Sequence, residues 1–579
     1  MADFDLVVKD AWIVDGTRFP RYRADIGVRN GRIAKIGAIA RERGALALEA
    51  DGLIAAPGFI DLHTHYDAQI HWDPYCSNSG ENGVTTVVAG NCGFAFAPCR
   101  PEDRDRYMRM MENTEQVPYV HMKNLLPWTW ETFPQWLEHL RALPKGVNMM
   151  MFMPLNPLLC YVMGVEESKR RRPSRAELDE MKRLIHEAMD AGAAGLGISL
   201  LGDDNSHTDY DGTPMPSDTM SRDDVVELCG VLKERDEGFI QVIAQLGMHE
   251  ERDVVERIAA ASGRPVLLNI FVTTDLMPDF HRPQLEWLTA ANAKGLRIFG
   301  QSFLQRGFSE FNVMEFNIND HLPEWRAISR LHDHAEKLAL ISDPAHRARM
   351  REAYQPELLA VGSGPLEVIE LSAAGGASEL DRYVNRKLGE IAAEEGKHVI
   401  DVLFDLAAAS DLRADFRTPS PVGCDPARTA ELLHHPNVLA GTSDGGAHMR
   451  FFSGGHWPTE LMIWLARETG QTTLEELHYR FAYQPARVAG LADRGALLEG
   501  MAADIVIYDP AALWMKQGKY DLRYDFPGGD WRRYTPTRGY RWTIVNGVLT
   551  HVDGEPTGET PGRFLIVTEP RSLERMAAE

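Results

Sequence analysis

Pro57-Gly58-Phe59-Ile60-Asp61-Leu62-His63-Thr64-His65 is the stretch on which the reading of this chain turns. Pro57-Gly58 breaks what precedes it, and a short apolar run then delivers two histidines at i and i+2. On a β-strand, residues two apart share a face. The spacing therefore predicts two imidazoles projecting together from a strand end, where one cation accepts a nitrogen from each. Two other runs end in the same manner. The β-branched run Gly83-Val84-Thr85-Thr86-Val87-Val88-Ala89-Gly90-Asn91-Cys92-Gly93 closes on a thiol among glycines. Far downstream, Val438-Leu439-Ala440-Gly441-Thr442-Ser443-Asp444-Gly445-Gly446 closes on a carboxylate. Three strands each finish in a metal-competent or proton-transferring group.

Outward from these runs, strands and helices alternate. Ser174-Arg175-Ala176-Glu177 is a capping box that opens a helix to about residue 191. Strands are predicted over 192–200, 239–244, 265–271 and 297–303, with helices over 223–235, 253–261 and 283–293 between them. A last strand at 438–441 precedes helices near 459–468 and 474–487. A β-then-α order with close to eight strands predicts an α/β fold, a (β/α)₈ TIM-like barrel over 56–492, with function at the C-terminal strand ends. Residues 308–425 carry helical patterning and read as an insertion before the last barrel strand. Both ends of the chain are strand-like, each with an Asn-Gly hairpin signal, Asn30-Gly31 and Asn546-Gly547. Residues 1–55 and 493–579 are expected to build one small sheet domain from both termini.

Composition narrows the function classes. Over 579 residues, 44% hydrophobic and 25% charged side chains are ordinary for a globular protein. The net charge of −23 argues against nucleic acid or an anionic membrane as partner. No apolar run reaches the roughly 20 residues of a membrane helix, and the acidic start Met1-Ala2-Asp3-Phe4-Asp5 lacks a secretory core. Six scattered cysteines make no disulfide framework. These features predict a reduced, cytoplasmic enzyme acting on a small molecule, with self-association into a homo-oligomer left open.

The His-x-His strand, the Gly90-Asn91-Cys92-Gly93 turn, Ser443-Asp444-Gly445 and the closing segment Gly495-Ala496-Leu497-Leu498-Glu499-Gly500-Met501-Ala502-Ala503-Asp504 together resemble the amidohydrolase superfamily, specifically its N-acyl-D-amino-acid deacylase branch. The resemblance runs over nearly the whole chain. It implies a TIM-like barrel, a small composite β-sandwich formed by both termini, and a zinc-centred site hydrolysing non-peptide C–N amide bonds. Carried over, His63, His65 and Cys92 would hold the metal, joined by Asp444, which would also be the general acid–base group. The branch pattern places further imidazoles at the ends of the fifth and sixth strands. Here Gln245 and Asn269 stand where they are expected, and an accompanying lysine is missing. Amide oxygens are poor zinc ligands, so one ion per chain is expected rather than two, with Gln245 and Asn269 as substrate contacts. His249 substitutes only if its loop folds back. The same departures keep two alternatives open: a hydrolase of a lactone, cyclic amide or carbamate, and a non-catalytic barrel used for assembly.

Further candidates come from residues near the strand ends. Asp67 is expected to brace an imidazole from behind, or else to be a plain loop carboxylate. His207, in an Asp/Asn/Gly-rich loop after the fourth strand, is read as a substrate contact against the alternative of a solvated turn. His448 and His456 follow Asp444 closely and are candidates of the same kind. Arg306, beyond the seventh strand, is placed to grip a substrate carboxylate.

Overall fold

The computed structural model describes residues 3–567 apart from 204, 206, 246–248, 276, 359–362 and 421, and apart from the side chains of 249 and 250. Eight parallel strands close into a barrel. β1 is Phe59–Asp61 continued by His63–Thr64, β2 Val84–Ala89, β3 Asn148–Met151 continued by Met153–Pro154, and β4 Gly195–Leu200. β5 is Phe239–Ala244, β6 Val266–Phe271, β7 Ile298–Ser302, and β8 Val438–Leu439 continued by Thr442–Gly445. Each pairs in parallel with the next, and Thr442 opposite His63 closes the ring. The ring closes at the two strands that carry the His-x-His pair and Asp444.

The barrel is filled, not hollow. Ile60, Leu62, Val88, Met150, Phe152, Phe239, Leu267 and Leu439 form one buried cluster, to which Leu565 from the C-terminal segment adds. Phe239 is 1% exposed and meets Phe152 edge-on with ring centroids 4.8 Å apart. Truncating so large a buried ring costs the transfer energy and leaves a cavity. Phe239→Ala is therefore expected to lose about 3–5 kcal/mol of unfolding free energy; a loss under about 1 kcal/mol in denaturant titration would mean this layer does not hold the barrel shut.

The first and last segments share one nine-stranded sheet. Ile54–Pro57 joins them, pairing in parallel with Phe4–Ile13 and antiparallel with Ile505–Tyr508. Both Asn-Gly hairpins form, with positive φ at Asn30, Gly31, Asn546 and Gly547, as the tight turn requires. The helix Arg175–Asp190 carries the capping box through Ser174 and Glu177. The helix expected over 223–235 divides at Gly230 into Arg222–Cys229 and Val231–Arg235. The segment between β7 and β8 is not helical throughout. Beside its helices it holds a three-stranded antiparallel sheet of Glu310–Phe311, Asp415–Arg417 and Glu370–Ala373, with its own apolar core.

Candidate metal centre

The two imidazoles of β1 are fully buried and present their Nε2 atoms to the same space. His63 Nε2 lies 3.5 Å from Cys92 Sγ and 3.3 Å from Asp444 Oδ1. His65 Nε2 lies 3.8 Å from that carboxylate oxygen. Among the described residues, His63, His65 and Cys92 form one group whose ligand atoms all lie within 4.8 Å of one another. Three strand ends thus converge.

Local backbone explains the convergence. Cys92, Asp444 and His448 all have left-handed φ, at 55°, 51° and 55°. Such strain in non-glycine residues persists only where the surroundings impose it, and it clusters at functional sites. Glycine provides the room beside them. A Cβ on Gly446 would run into the carbonyl of His65, and one on Gly93 into the backbone of Ser199.

Hydrogen bonds fix which nitrogen of His63 faces inward. Its Nδ1 is 3.1 Å from Gln301 Oε1, while the other end of that amide donates to the Leu62 carbonyl. The amide orientation is thereby set, so Nδ1 carries the proton and the Nε2 lone pair faces Cys92 and Asp444. The Cys92 backbone N–H donates to Gln241 Oε1 at 2.7 Å. Asp61 accepts from the His63 backbone and from Trp457 Nε1, and burial lifts its carboxyl to about 7.

The electrostatics favour a cation. Burial, then mutual repulsion among the imidazoles, holds His65 well below the ordinary histidine range, His207 down to about 4 and His448 to about 3. Neutral imidazole is the form that ligates a metal. The acids move the other way. Burial lifts Asp444, Asp67 to about 7, and Glu115 and the Cys92 thiol well above their usual values. Both oxygens of Glu115 are buried without a hydrogen-bond partner, and the buried Asp67 carboxyl meets only the backbone N–H groups of its own residue and Gly90. Buried acids without partners are costly unless a positive charge joins them. A nitrogen, nitrogen, sulfur and oxygen donor set suits zinc, so these residues fit a divalent ion.

Not every candidate joins this group. Gln245 is exposed and donates to the Leu201 carbonyl at 2.7 Å. The β5 residue in register with Asn269 is instead Ile243, and Asn269 in turn faces Gln301 on β7. An apolar side chain and a buried amide thus occupy that layer. Asp67 is fully buried, and no imidazole bonds to either of its oxygens. Arg306 is engaged by the buried carboxylate of Glu460 at 2.7 Å and lies over the Trp464 ring, and His456 lies 3.6 Å from that same carboxylate. His207 packs edge-on against Phe94, and its Nδ1 is buried without a partner. His448 stacks on Phe451. The side chain of His249 lies outside the described residues.

Three groups of the site escaped the sequence reading: Gln301, Gln241 and Glu115. The two glutamines show no local signal, since each acts on a residue far away in the chain. Glu115 has one. In the helix Arg104–Glu115, Met108, Met111 and Glu115 follow i, i+3, i+7, so a carboxylate occupies the buried stripe.

Known proteins resemble this chain along nearly its whole length. A D-aminoacylase of Alcaligenes xylosoxydans xylosoxydans is 26% identical over 574 residues, covering 98% of each chain. An N-acyl-D-aspartate deacylase of the same organism is 25% identical over 575 residues, covering 97% of this chain and 95% of its own. The crystal structure of N-acyl-D-glutamate deacylase from Bordetella bronchiseptica, complexed with zinc and a phosphonate inhibitor, superposes with a TM-score of 0.65 at 22% identity, over 97% of this chain and 99% of that one. At that identity the superposition speaks for the fold. The amidohydrolase family pattern matches residues 47–551, from the strand Gly44–Glu49 into the second strand of the last Asn-Gly hairpin, and over that span this chain belongs to the amidohydrolase family.

Proposed function

We propose that this protein is a metal-dependent hydrolase of a non-peptide C–N amide bond in a small molecule, related in chemistry to the N-acyl-D-amino-acid deacylases. The observation that carries this reading is the convergence of His63 Nε2, His65 Nε2, Cys92 Sγ and Asp444 Oδ1 at the barrel mouth. His63, His65, Cys92 and Asp444 would hold one zinc ion. When bound, such an ion polarises the substrate carbonyl and lowers the pKa of water toward about 7.

The chain's own groups do the remaining work. Asp444 is 22% exposed at its side chain, so it reaches both the imidazole nitrogens and the solvent side. It accepts a proton from the attacking water, and as the C–N bond breaks it returns that proton to the leaving nitrogen. The products are an acid and an amine, and the carboxylate is regenerated. Gln301 keeps the His63 proton on the outward nitrogen throughout. His207 and His448 flank the space where substrate would lie.

Gln245 and Asn269, amides where the branch pattern places two further imidazoles, support a single ion. A second reading, hydrolysis of a lactone, cyclic amide or carbamate at the same site, is favoured by the ion pair that already occupies Arg306. A substrate without a carboxylate needs no such grip. Element-resolved metal analysis, with a panel of N-acyl-D-amino acids beside uncharged amides and lactones, tests both. One zinc per chain and amide turnover are expected. Stripping the metal with a chelator is expected to abolish turnover and lower the melting temperature, since an ion at 100 times its Kd contributes about 2.7 kcal/mol. Purified protein that holds no metal and melts identically with chelator would end the proposal.

A further inference from the structure

Glu115 occupies a position that costs stability and has no structural return on its own. It is the last residue of the helix Arg104–Glu115, with Gln116 turning left-handed immediately after it. A carboxylate at a helix C-terminus faces the negative end of the macrodipole. This one is also fully buried, and neither oxygen has a hydrogen-bond partner. Burying an unpaired carboxylate is unfavourable unless function retains it.

Its surroundings indicate that function. Oε1 lies 3.8 Å from His65 Nδ1, and Oε2 lies 3.5 Å from His448 Nε2. The backbone carbonyl of Glu115 accepts the His448 N–H at 2.6 Å. One residue thus reaches the β1 histidine and the loop that follows β8. The next residue ties the same point to the insertion, since Gln116 Nε2 donates to Glu315 O at 2.9 Å. The pattern mirrors His63, whose outward nitrogen meets Gln301 Oε1. His65 Nδ1 is itself buried without a hydrogen-bond partner, so two unsatisfied groups face each other across 3.8 Å, and a small side-chain rotation that closes the gap satisfies both.

We propose that Glu115 is a positioning residue: it holds His65 in the tautomer with Nδ1–H outward and Nε2 free, and it pins His448 over the centre. The inference rests on the metal-centre reading above. Groups that orient a ligating histidine in this way typically change metal affinity by 10–100-fold when removed. His65 stacks on Phe94 at 5.8 Å, so ring packing alone keeps its plane but does not choose its tautomer.

The test uses the full chain with Glu115→Gln and Glu115→Asp. Chelator competition is expected to show zinc bound 10–100-fold more weakly in Glu115→Gln, with a shifted visible spectrum in the cobalt-substituted form. Glu115→Asp is expected to recover part of both. The Glu115 carbonyl bond to His448 survives these changes, so a loss confined to the glutamine variant reports the carboxylate. Long-range ¹H–¹⁵N spectra of histidine-labelled wild type give a readout that needs no variant, with a protonated Nδ1 expected for His65. Unchanged zinc affinity and cobalt spectrum in Glu115→Gln, or a protonated Nε2 on His65, would overturn the assignment. A wild type that binds no zinc would instead overturn the metal-centre reading.

Discussion

His63→Ala is expected to lose the bound metal and at least three orders of magnitude in kcat/KM, about 4 kcal/mol of transition-state stabilisation or more. His63 meets both the Cys92 sulfur and the Asp444 carboxylate, and β1 pairs with β8 exactly at its position. Its removal deprives the centre of one nitrogen and leaves Gln301 Oε1 without a donor. The fold should survive, because the apolar layer around Phe239 and Leu267 lies below the site and does not depend on His63. Metal per chain, turnover and the circular dichroism spectrum are the measurements. A folded His63→Ala protein that keeps its metal and its turnover would leave the proposed chemistry without a basis.

Asp444→Asn should separate proton transfer from metal retention. His63, His65 and Cys92 remain, so the variant is expected to keep an ion. It loses the proton acceptor, and kcat should fall about 10²–10⁴-fold, the usual contribution of a positioned acid–base group. The pH dependence carries a sign. Asp444 must be ionised to accept the proton, so activity rises as pH passes its pKa, which burial lifts and His63 partly lowers. The wild-type profile should show that acid limb, and Asp444→Asn should lack it. A metal-loaded variant within threefold of wild-type kcat would remove Asp444 from the proton path.

Much of this architecture is legible one-dimensionally because its determinants are local. A capping box at Ser174 starts a helix wherever the chain is. Asn-Gly permits two successive positive φ angles and so specifies a tight hairpin. The period-2 spacing of His63 and His65 sets a shared face before any tertiary contact exists. Shorter elements escape such reading. Glu310–Phe311 has two residues, too few to display a strand period, so the small sheet inside the insertion is invisible beside its helices.

The amide positions show what local reading leaves open. Gln245 stands just beyond the end of β5, and sequence alone does not say which residue of the strand shares a layer with Asn269. Register decides it, and the residue is Ile243. Arg306 likewise reads as an available cation until Glu460, 154 positions later, is found to engage it.

The sequence by itself determined the order of strands and helices, the hairpins, and which strand ends carry imidazole, thiol and carboxylate, because spacing and turn chemistry act over a few residues. Tertiary structure alone decided that Gln301 orients His63 across 238 positions, that Gln241 holds the Cys92 backbone across 149, and that Glu115 lies between His65 and His448. Those choices depend on barrel closure, which brings distant side chains to within hydrogen-bond range, and no local pattern encodes which of them will meet.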